Sequence, residues 1–516
     1  MRIRMLVTAV IAVVWIGSVY TLQKRNTDRS FLEQGGHVDV VNGAFVLRED
    51  FLGIYLNETK IGHSEFRLTE AGEATAKTSG GKVYLFQSQS TMRIDALGIP
   101  FNLKTISDGA IDQNLALCDF TFHFVASGQN ISCVGKVEGN ALTVTTKSEG
   151  ASHTKEYPLQ GPIYSPDIVH LVVARDGIEV GKQTSVPIYD PLTTSLDQVE
   201  VLVKEQTEME WEGKSQSVYH VQLSYKGFQE DAWIDANGVV FREQSSVAGI
   251  AFLCKRETED QAREMPVASG PGPDLIAASR IPVDYAIENP RNVEEMHIAV
   301  TGCTPEDLFL DGVRQVLESD RTAEELAVVV RRPDYDTLID RFNSPEIAYS
   351  GSEDYKEYLE PDPFVQSNDS RIVQKAKEIT ANSGSRWSAV EQLTTWLHES
   401  LRKEVRVTIP SAVEVLESRK GDCNEHSTLF AALARSLNIP TKVCAGIVYQ
   451  DGAFYYHAWN EVLLGNEDSI WLPIDSTFGQ AEVDAAHVKL NEGALDKQVE
   501  LIKLIGKMQV KIIEAR

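Results

Sequence analysis

A cysteine, a histidine and an aspartate in the C-terminal part of the chain have the residue types of a thiol catalytic site: Cys423, His457 and Asp475. A free thiol, with a pKa of about 8.5, is mostly protonated at neutral pH and is a poor nucleophile. A neighbouring imidazole can take its proton, and a carboxylate behind the imidazole fixes the tautomer. We therefore predict a triad with Cys423 as nucleophile, His457 as base and Asp475 as orienting acid.

The segment around Cys423 predicts a helix that begins at the cysteine. Gly421 and Asp422 interrupt the preceding segment, and apolar residues then recur at helical spacing over 430–437. The first turn of a helix has unpaired N–H groups and a partial positive charge. We therefore expect the thiolate of Cys423 to be favoured and its own N–H group to be the first oxyanion donor.

His457 and Asp475 are predicted to lie on neighbouring strands. Residues 443–449 and 454–462 flank an Asp-Gly turn, which favours a hairpin with His457 on its second strand. Residues 470–474 predict a further strand that ends at Asp475. This topology can bring the three side chains together.

Alternate residues of a strand share a face, so His457 lies with Tyr455, Trp459 and Glu461. We expect this face to line the cleft. Its aromatic side chains are predicted to be cleft wall or core, and Glu461 a supporting or ordinary polar residue.

Four short blocks occur in the order and spacing typical of a known family. They are Gly421-Asp422-Cys423-Asn424-Glu425-His426, Leu437-Asn438-Ile439-Pro440, His457-Ala458-Trp459-Asn460-Glu461 and Trp471-Leu472-Pro473-Ile474-Asp475-Ser476-Thr477. Over residues 365–490 the chain resembles the transglutaminase-like superfamily, a papain-like thiol fold that includes transglutaminases, bacterial thiol peptidases and peptide N-glycanases. The resemblance implies the triad roles of Cys423, His457 and Asp475. Asn438 replaces the usual glycine and Ser476 the common proline, and neither change removes a catalytic group.

A metal centre is an alternative use of the same residues. Cys423 and His426 have the spacing of a zinc pair that His457 and Asp475 could complete, but structural zinc sites usually have closely spaced ligands on both sides. We expect no metal and no cofactor. Cys444 lies in an apolar strand and is predicted to be a core residue.

The charge balance excludes one class of partner. The chain has 75 Asp and Glu residues against 49 Lys and Arg, a formal net charge of −26. Such a field repels phosphate backbones, so we expect no nucleic acid partner. The six cysteines are widely spaced and predict no disulfide scaffold. Cys118 and Cys133 could pair in an oxidising compartment or could be buried hydrophobes.

The N-terminus predicts a membrane anchor. An uncharged apolar run over residues 5–22 follows Arg2 and Arg4 and precedes Lys24 and Arg25. About 17–25 residues are needed to cross a bilayer. A cleaved signal peptide is the alternative, but a small-x-small cleavage site is hard to find. We expect a signal anchor of bacterial envelope type, with the rest of the chain outside the cytoplasmic membrane.

The alternation of the remaining segments predicts an α+β protein. Its papain/transglutaminase-like C-terminal catalytic domain is preceded by a large antiparallel β domain and a small β domain. The predicted bounds are 1–29 for the anchor and its flank, 45–262 and 275–350 for the two β domains, 361–490 for the catalytic domain and 491–516 for a C-terminal extension. A Gly- and Pro-rich linker covers 268–274.

Three kinds of function fit these observations. Acyl transfer through a Cys423 thioester, with hydrolysis of a peptide or amide bond, is the first, because water is always present. A protein-cross-linking transglutaminase is the second. The third is a catalytically silent envelope binding or scaffold protein, against which the intact triad counts. The expected partners are a peptide or protein substrate and the cytoplasmic membrane.

Overall fold

The computed structural model describes residues 48–56, 58–71, 83–96, 99–126, 129–148, 151–247, 250–264, 280–318, 325–403, 411–466, 468–493 and 500–516. They belong to two compact units, the second of which runs mainly from Leu275 to Arg516. The predicted anchor run 5–22 and the linker 268–274 lie outside the described residues. Within those residues, no helix has the length and apolar composition needed to cross a membrane.

One sheet of 14 strands, in the order β8-β7-β6-β5-β4-β3-β2-β1-β14-β13-β12-β11-β10-β9, forms most of the first unit. The strands are β1 Arg48–Leu56, β2 Thr59–Glu70, β3 Val83–Ala96, β4 Ile99–Asp112, β5 Leu117–Ala126, β6 Gln129–Glu138, β7 Ala141–Ser148, β8 Ala151–Pro158, β9 Gln183–Asp190, β10 Ser195–Trp211, β11 Lys214–Tyr225, β12 Phe228–Ile234, β13 Val240–Val247 and β14 Ile250–Arg256. Helices α1 Val169–Arg175 and α2 Glu259–Arg263 accompany the sheet. The predicted large antiparallel sheet is present.

Two hairpins and one helix start in this unit follow local sequence patterns. β1 and β2 form an antiparallel hairpin, and β12 and β13 form another on either side of the turn residues Asn237 and Gly238. The side chain of Ser165 caps a 3-10 turn, accepting from the N–H group of Asp167, and α1 follows. Cys118 and Cys133 are both free, and Cys133 is buried, so the pairing alternative is not realised.

Three sheets and five helices make up the described part of the second unit. One sheet runs β15-β22-β21-β24 with β23 beside β22, one runs β17-β18-β16-β25, and β19 pairs with β20. The strands are β15 Ile281–Pro282, β16 Glu295–Thr301, β17 Gln315–Glu318, β18 Leu326–Arg331, β19 Arg402–Lys403, β20 Lys420–Gly421, β21 Thr441–Gln450, β22 Ala453–Gly465, β23 Ser469–Ile474, β24 His487–Glu492 and β25 Gln509–Ala515. The helices are α3 Tyr335–Phe342, α4 Ser370–Ile379, α5 Arg386–Ser400, α6 Ala412–Ser418 and α7 Cys423–Ser436.

The core of the second unit fixes helix α7 against the five-stranded sheet. Phe430 and Leu433 of α7 are fully buried in one cluster with Leu393 and Leu397 of α5 and with Val462 of β22. Burying such side chains is worth roughly 1.5–3 kcal/mol each. The cluster therefore holds the N-terminal end of α7, where Cys423 lies, at a defined position beside the strands.

The start of α6 differs from the sequence pattern. Ser411 and Glu414 have the spacing of a capping box, yet the Ser411 side chain makes no cap hydrogen bond. The Oε1 atom of Gln366 instead accepts from the N–H group of Val413 (3.3 Å), and its Nε2 atom donates to the hydroxyl of Ser411 (3.1 Å). A glutamine from a distant segment thus performs the capping.

Candidate active site

A capping box positions Cys423 as the first residue of α7. The Asp422 carboxylate accepts from the N–H group of Asn424 (2.9 Å) and from that of Glu425, whose own carboxylate accepts from the N–H group of Asp422 (2.9 Å). The capping box thus uses the N–H groups of Asn424 and Glu425, the second and third residues of the helix. The N–H group of Cys423 is not part of it. A Cβ atom at Gly421 would lie 2.1 Å from the Cβ atom of Glu425, so only glycine fits there.

The cysteine meets strand β22 next to the histidine. In β22, His457 pairs with Gly446 of β21, and α7 packs against this strand. The thiol of Cys423 is half-buried and hydrogen-bonds to the backbone of Ala458, the residue that follows His457. This contact places the Cys423 thiol at the residue that follows His457 in β22.

The third residue completes the arrangement from the end of β23. His457 Nε2 donates to Asp475 Oδ2 at 2.8 Å, while Oδ1 of Asp475 accepts from the N–H groups of Thr477 (2.8 Å) and Phe478 (3.1 Å). An ionised carboxylate only accepts, so the hydrogen of a neutral imidazole lies on Nε2. The Nδ1 atom of His457 then carries the lone pair that can take a proton from a thiol.

A second histidine, which the sequence patterns did not select, donates to the same carboxylate. His487 Nε2 lies 3.1 Å from Asp475 Oδ2, and its Nδ1 lies 2.9 Å from Asp484 Oδ1. Arg291 approaches the other oxygen of Asp484 at 3.3 Å. The three-residue spacing of Asp484 and His487 was visible in the sequence, but it is short and common and falls in a plain strand pattern.

Aromatic rings flank the base. The ring of Phe478 stacks on His457 with 5.0 Å between centroids, and the ring of Trp459 lies at 6.2 Å. Trp459 and Glu461 are buried, and Tyr455 is half-buried. Trp459 is core.

Glu461 belongs to a buried ion pair and does not reach the triad. Its carboxylate lies 2.6 Å from Nζ of Lys489, which also contacts Glu492 at 2.7 Å. Cys444 is fully buried in the same region, and burial raises its pKa. The prediction that Cys444 is a core residue is confirmed.

The pKa of the Cys423 thiol is raised. Removal from water and the neighbouring Asp422 carboxylate raise the pKa of Cys423 well above its ordinary value, and the hydrogen bond from Ala458 only partly opposes them. Burial and the capping carboxylate, which repels a negative sulfur, thus oppose the effect that the helix start has on the thiolate.

The pKa values of Asp475 and Asp484 are held below their usual range. Burial alone would raise the pKa of Asp475, but His457 and His487 outweigh burial and hold that pKa well below its usual range. Burial likewise opposes ionisation of Asp484, and His487 and Arg291 lower its pKa to about 2. Burial lowers the pKa of His487, but the two carboxylates reverse this effect and raise it.

Donor atoms of His457, Asp475 and His487 lie within 4.8 Å of one another, close enough to surround a metal ion. Hydrogen bonds already join the three, so a network without metal accounts for the arrangement. Cys423 and His426, the zinc pair considered from the sequence, are outside this group. His426 instead donates from Nδ1 to the carbonyl of Asp422 (2.6 Å).

Comparison with known proteins agrees with this geometry. Residues 373–476 match the profile of the Transglutaminase-like superfamily and form a transglutaminase-like domain. A candidate cysteine protease from Cytophaga hutchinsonii is 16% identical, covering 42% of this chain and 82% of its own, with a TM-score of 0.30. A β-barrel-like domain of unknown function from Brucella abortus is 13% identical over 42% of this chain and 97% of its own, with a TM-score of 0.33. No curated protein matches in sequence.

Proposed function

We propose that the transglutaminase-like domain is a thiol-dependent acyl-transfer enzyme that hydrolyses peptide or amide bonds, with Cys423, His457 and Asp475 as its catalytic triad. The observation that carries the proposal is the hydrogen bond between His457 Nε2 and Asp475 Oδ2, placed beside the Cys423 thiol at the backbone of Ala458. The membership of residues 373–476 in a superfamily with cysteine-based enzymes supports it.

The first half-reaction acylates the cysteine. As the Cys423 sulfur attacks the carbonyl carbon, its proton passes to Nδ1 of His457, which Asp475 holds in the receiving tautomer. The N–H group of Cys423, outside the capping box, donates to the oxyanion that forms. The C–N bond then breaks, the leaving amine takes the proton from His457, and a thioester remains.

The second half-reaction releases the acyl group. Water attacks the thioester carbonyl while His457 takes one of its protons, and the C–S bond breaks as that proton returns to the Cys423 sulfur. A primary amine in place of water would give a new amide bond and hence cross-linking. Water is proposed as the acceptor because it is always present at the site.

A peptide library tests the proposal over many candidate substrates at once. The purified full chain is incubated with the library, with and without a labelled primary amine, and products are identified by mass spectrometry. Cys423→Ala is expected to abolish cleavage. The matched control is Cys303→Ala, which removes another half-buried thiol of the second unit and is expected to leave cleavage unchanged.

Two outcomes would change the proposal. Amide formation with the labelled amine in excess of hydrolysis would make cross-linking the activity. Complementation of the parent cell by Cys423→Ala would favour the third function, a silent envelope binding or scaffold protein, because a scaffold does not need the sulfur.

A further inference from the structure

His487 has a protonation state that its two partners dictate. Each of its ring nitrogens faces a carboxylate oxygen, Asp475 at 3.1 Å and Asp484 at 2.9 Å, and all three side chains are fully buried. Because an ionised carboxylate can only accept, each nitrogen must carry a hydrogen. The side chain with hydrogen on both nitrogens is the imidazolium cation.

The remaining contacts keep both carboxylates ionised. Oδ1 of Asp475 accepts two backbone N–H groups, and Asp484 accepts from the N–H group of Ala486 (2.8 Å) and from Gln480 Nε2 (3.0 Å). Arg291, whose guanidinium also lies over the ring of Phe478, adds a positive charge beside Asp484. Buried charges persist only when paired and hydrogen-bonded in this way.

We infer that His487 is a positioning residue of the triad, a permanent cation that offsets the charge of Asp475 and holds its carboxylate towards His457. The inference rests on the proposed function for its catalytic meaning. Asp484 and His487 follow residue 476, where the family match ends, so the superfamily resemblance assigns neither of them a role.

The charge of His487 also affects the nucleophile. Asp475 is among the carboxylates that raise the pKa of Cys423, so a cation that offsets Asp475 makes the thiolate easier to form. The rings of His457, Trp459 and Phe478 also contact His487, and Arg314, a buried cation, donates to the backbone carbonyls of Asp484 (3.0 Å) and His487 (3.1 Å). Lys489, two residues further along β24, bonds to Glu461 and Glu492 instead.

Alkylation of Cys423 tests the charge role and needs no substrate. The rate of reaction with iodoacetamide is followed against pH by mass spectrometry of the Cys423 peptide in the full chain. In His487→Gln, which removes the cation, the midpoint of the rate–pH profile is expected to rise by about 0.5 pH unit or more, because the charge of Asp475, which raises the pKa of Cys423, is no longer offset. The rate near neutral pH falls correspondingly by about threefold.

Arg435→Gln is the matched control. Arg435 is a half-buried cation at the far end of α7, where it donates to the carbonyls of Thr441 and Glu360. Its loss is expected to lower the melting temperature without moving the midpoint of Cys423. A folded His487→Gln protein with an unchanged or lower midpoint would overturn the inference.

A measurement on the wild-type chain covers the case in which His487→Gln does not fold. With ¹⁵N in the histidine rings, one of the 11 histidines should keep hydrogen on both nitrogens from pH 5 to 8. If every histidine loses a proton below pH 8, His487 is not a permanent cation. The alkylation and NMR measurements do not depend on turnover. If the peptide-library test failed, the proposed function would be lost, but these two measurements would still decide the charge state of His487.

Discussion

At the scale of single residues, Asp422 has two opposing effects on the site. It caps α7 and so fixes Cys423, but its carboxylate is the charged neighbour that contributes most to the raised pKa of that thiol. The cap needs only an oxygen acceptor, which asparagine also supplies. Substitution of Asp422 by asparagine should therefore remove the negative charge and keep the helix cap.

Asp422→Asn is expected to lower the pKa of Cys423 and speed its alkylation near pH 7.5 by about three- to tenfold, since a unit of negative charge beside the thiol is lost. The helix should remain capped and the melting temperature nearly unchanged. The control is Asp369→Asn at the cap of α4, which keeps the same kind of cap and should leave Cys423 labelling unchanged. Slower labelling in Asp422→Asn would show that the carboxylate does not repel the thiolate.

A second residue-scale prediction concerns the triad as a unit. His457→Ala should cost nearly as much turnover as Cys423→Ala, and the double variant should lose little more, because base and nucleophile act together. Asp475→Ala should cost less, since nucleophile and base remain. The measured quantity is kcat/KM on a peptide found in the library. If the free-energy losses of Cys423→Ala and His457→Ala added fully in the double variant, the two residues would not share a proton transfer.

Residue patterns predicted the proposed triad but not the side chains that contact Asp475 and Asp484. Cys423, His457 and Asp475 stand in recognisable blocks because each needs particular neighbours along the chain. His487 and Arg291 contribute through contacts made by separate segments, and Arg291 precedes the triad acid by more than 180 residues in the chain. Such contacts depend on tertiary packing, which local spacing does not record.

At the scale of elements, the start of α7 depends on Gly421. An added methyl group would lie 2.1 Å from the Cβ atom of Glu425, within the capping box. Gly421→Ala is expected to cost at least about 1–3 kcal/mol of unfolding free energy, as overpacking does, and to reduce turnover by displacing Cys423. Thermal unfolding and Cys423 labelling measure the two effects.

Gly384→Ala is the matched control for that change. Nothing lies within 4 Å of its added Cβ atom, so the variant should unfold within about 1 kcal/mol of wild type. Equal stability of Gly421→Ala and Gly384→Ala would mean that the capping box adjusts freely to a side chain.

Helices and hairpins followed from periodicity, with exceptions that have a tertiary cause. The apolar residues that recur at helical spacing in α7, Phe430 and Leu433, are buried in the core. Asn438, in place of the usual glycine, adopts a positive φ of 60°, which asparagine tolerates better than most residues. The spacing of Ser411 and Glu414 suggests a cap that α6 does not have, because Gln366, which supplies the cap, lies 45 residues before Ser411.

At the scale of the whole molecule, local patterns could not predict which strands pair when they are far apart in the sequence. A small β domain was predicted over 275–350, where β16 and β18 lie, but β25, near the C-terminus, pairs with β16 across more than 200 residues of sequence. A strand pattern specifies which residues point to each face and leaves the partner strand open. The C-terminal segment, expected as an extension, supplies an edge of the four-stranded sheet.

The last prediction concerns the attachment of the chain to a membrane. We propose that residues 5–22 anchor the protein, with the bulk of the chain outside the cytoplasmic membrane, because the run is uncharged and basic residues flank it. The protein should stay with the membrane fraction after a salt wash, and a reporter fused after Arg29 should be active only outside the cytoplasm. Recovery of a soluble form that lacks these residues would instead identify a cleaved signal peptide.

A charge placed in the middle of the run tests whether its apolar character is what retains the protein. Val13→Arg should weaken insertion, since arginine at the centre of a spanning helix costs about 2.5–3.5 kcal/mol, and the membrane-bound fraction should fall. Val13→Leu keeps the run apolar and should be retained like wild type. If both variants remained in the membrane fraction equally, attachment would have to come from another part of the chain, because the proposed anchor depends on burying this run in lipid.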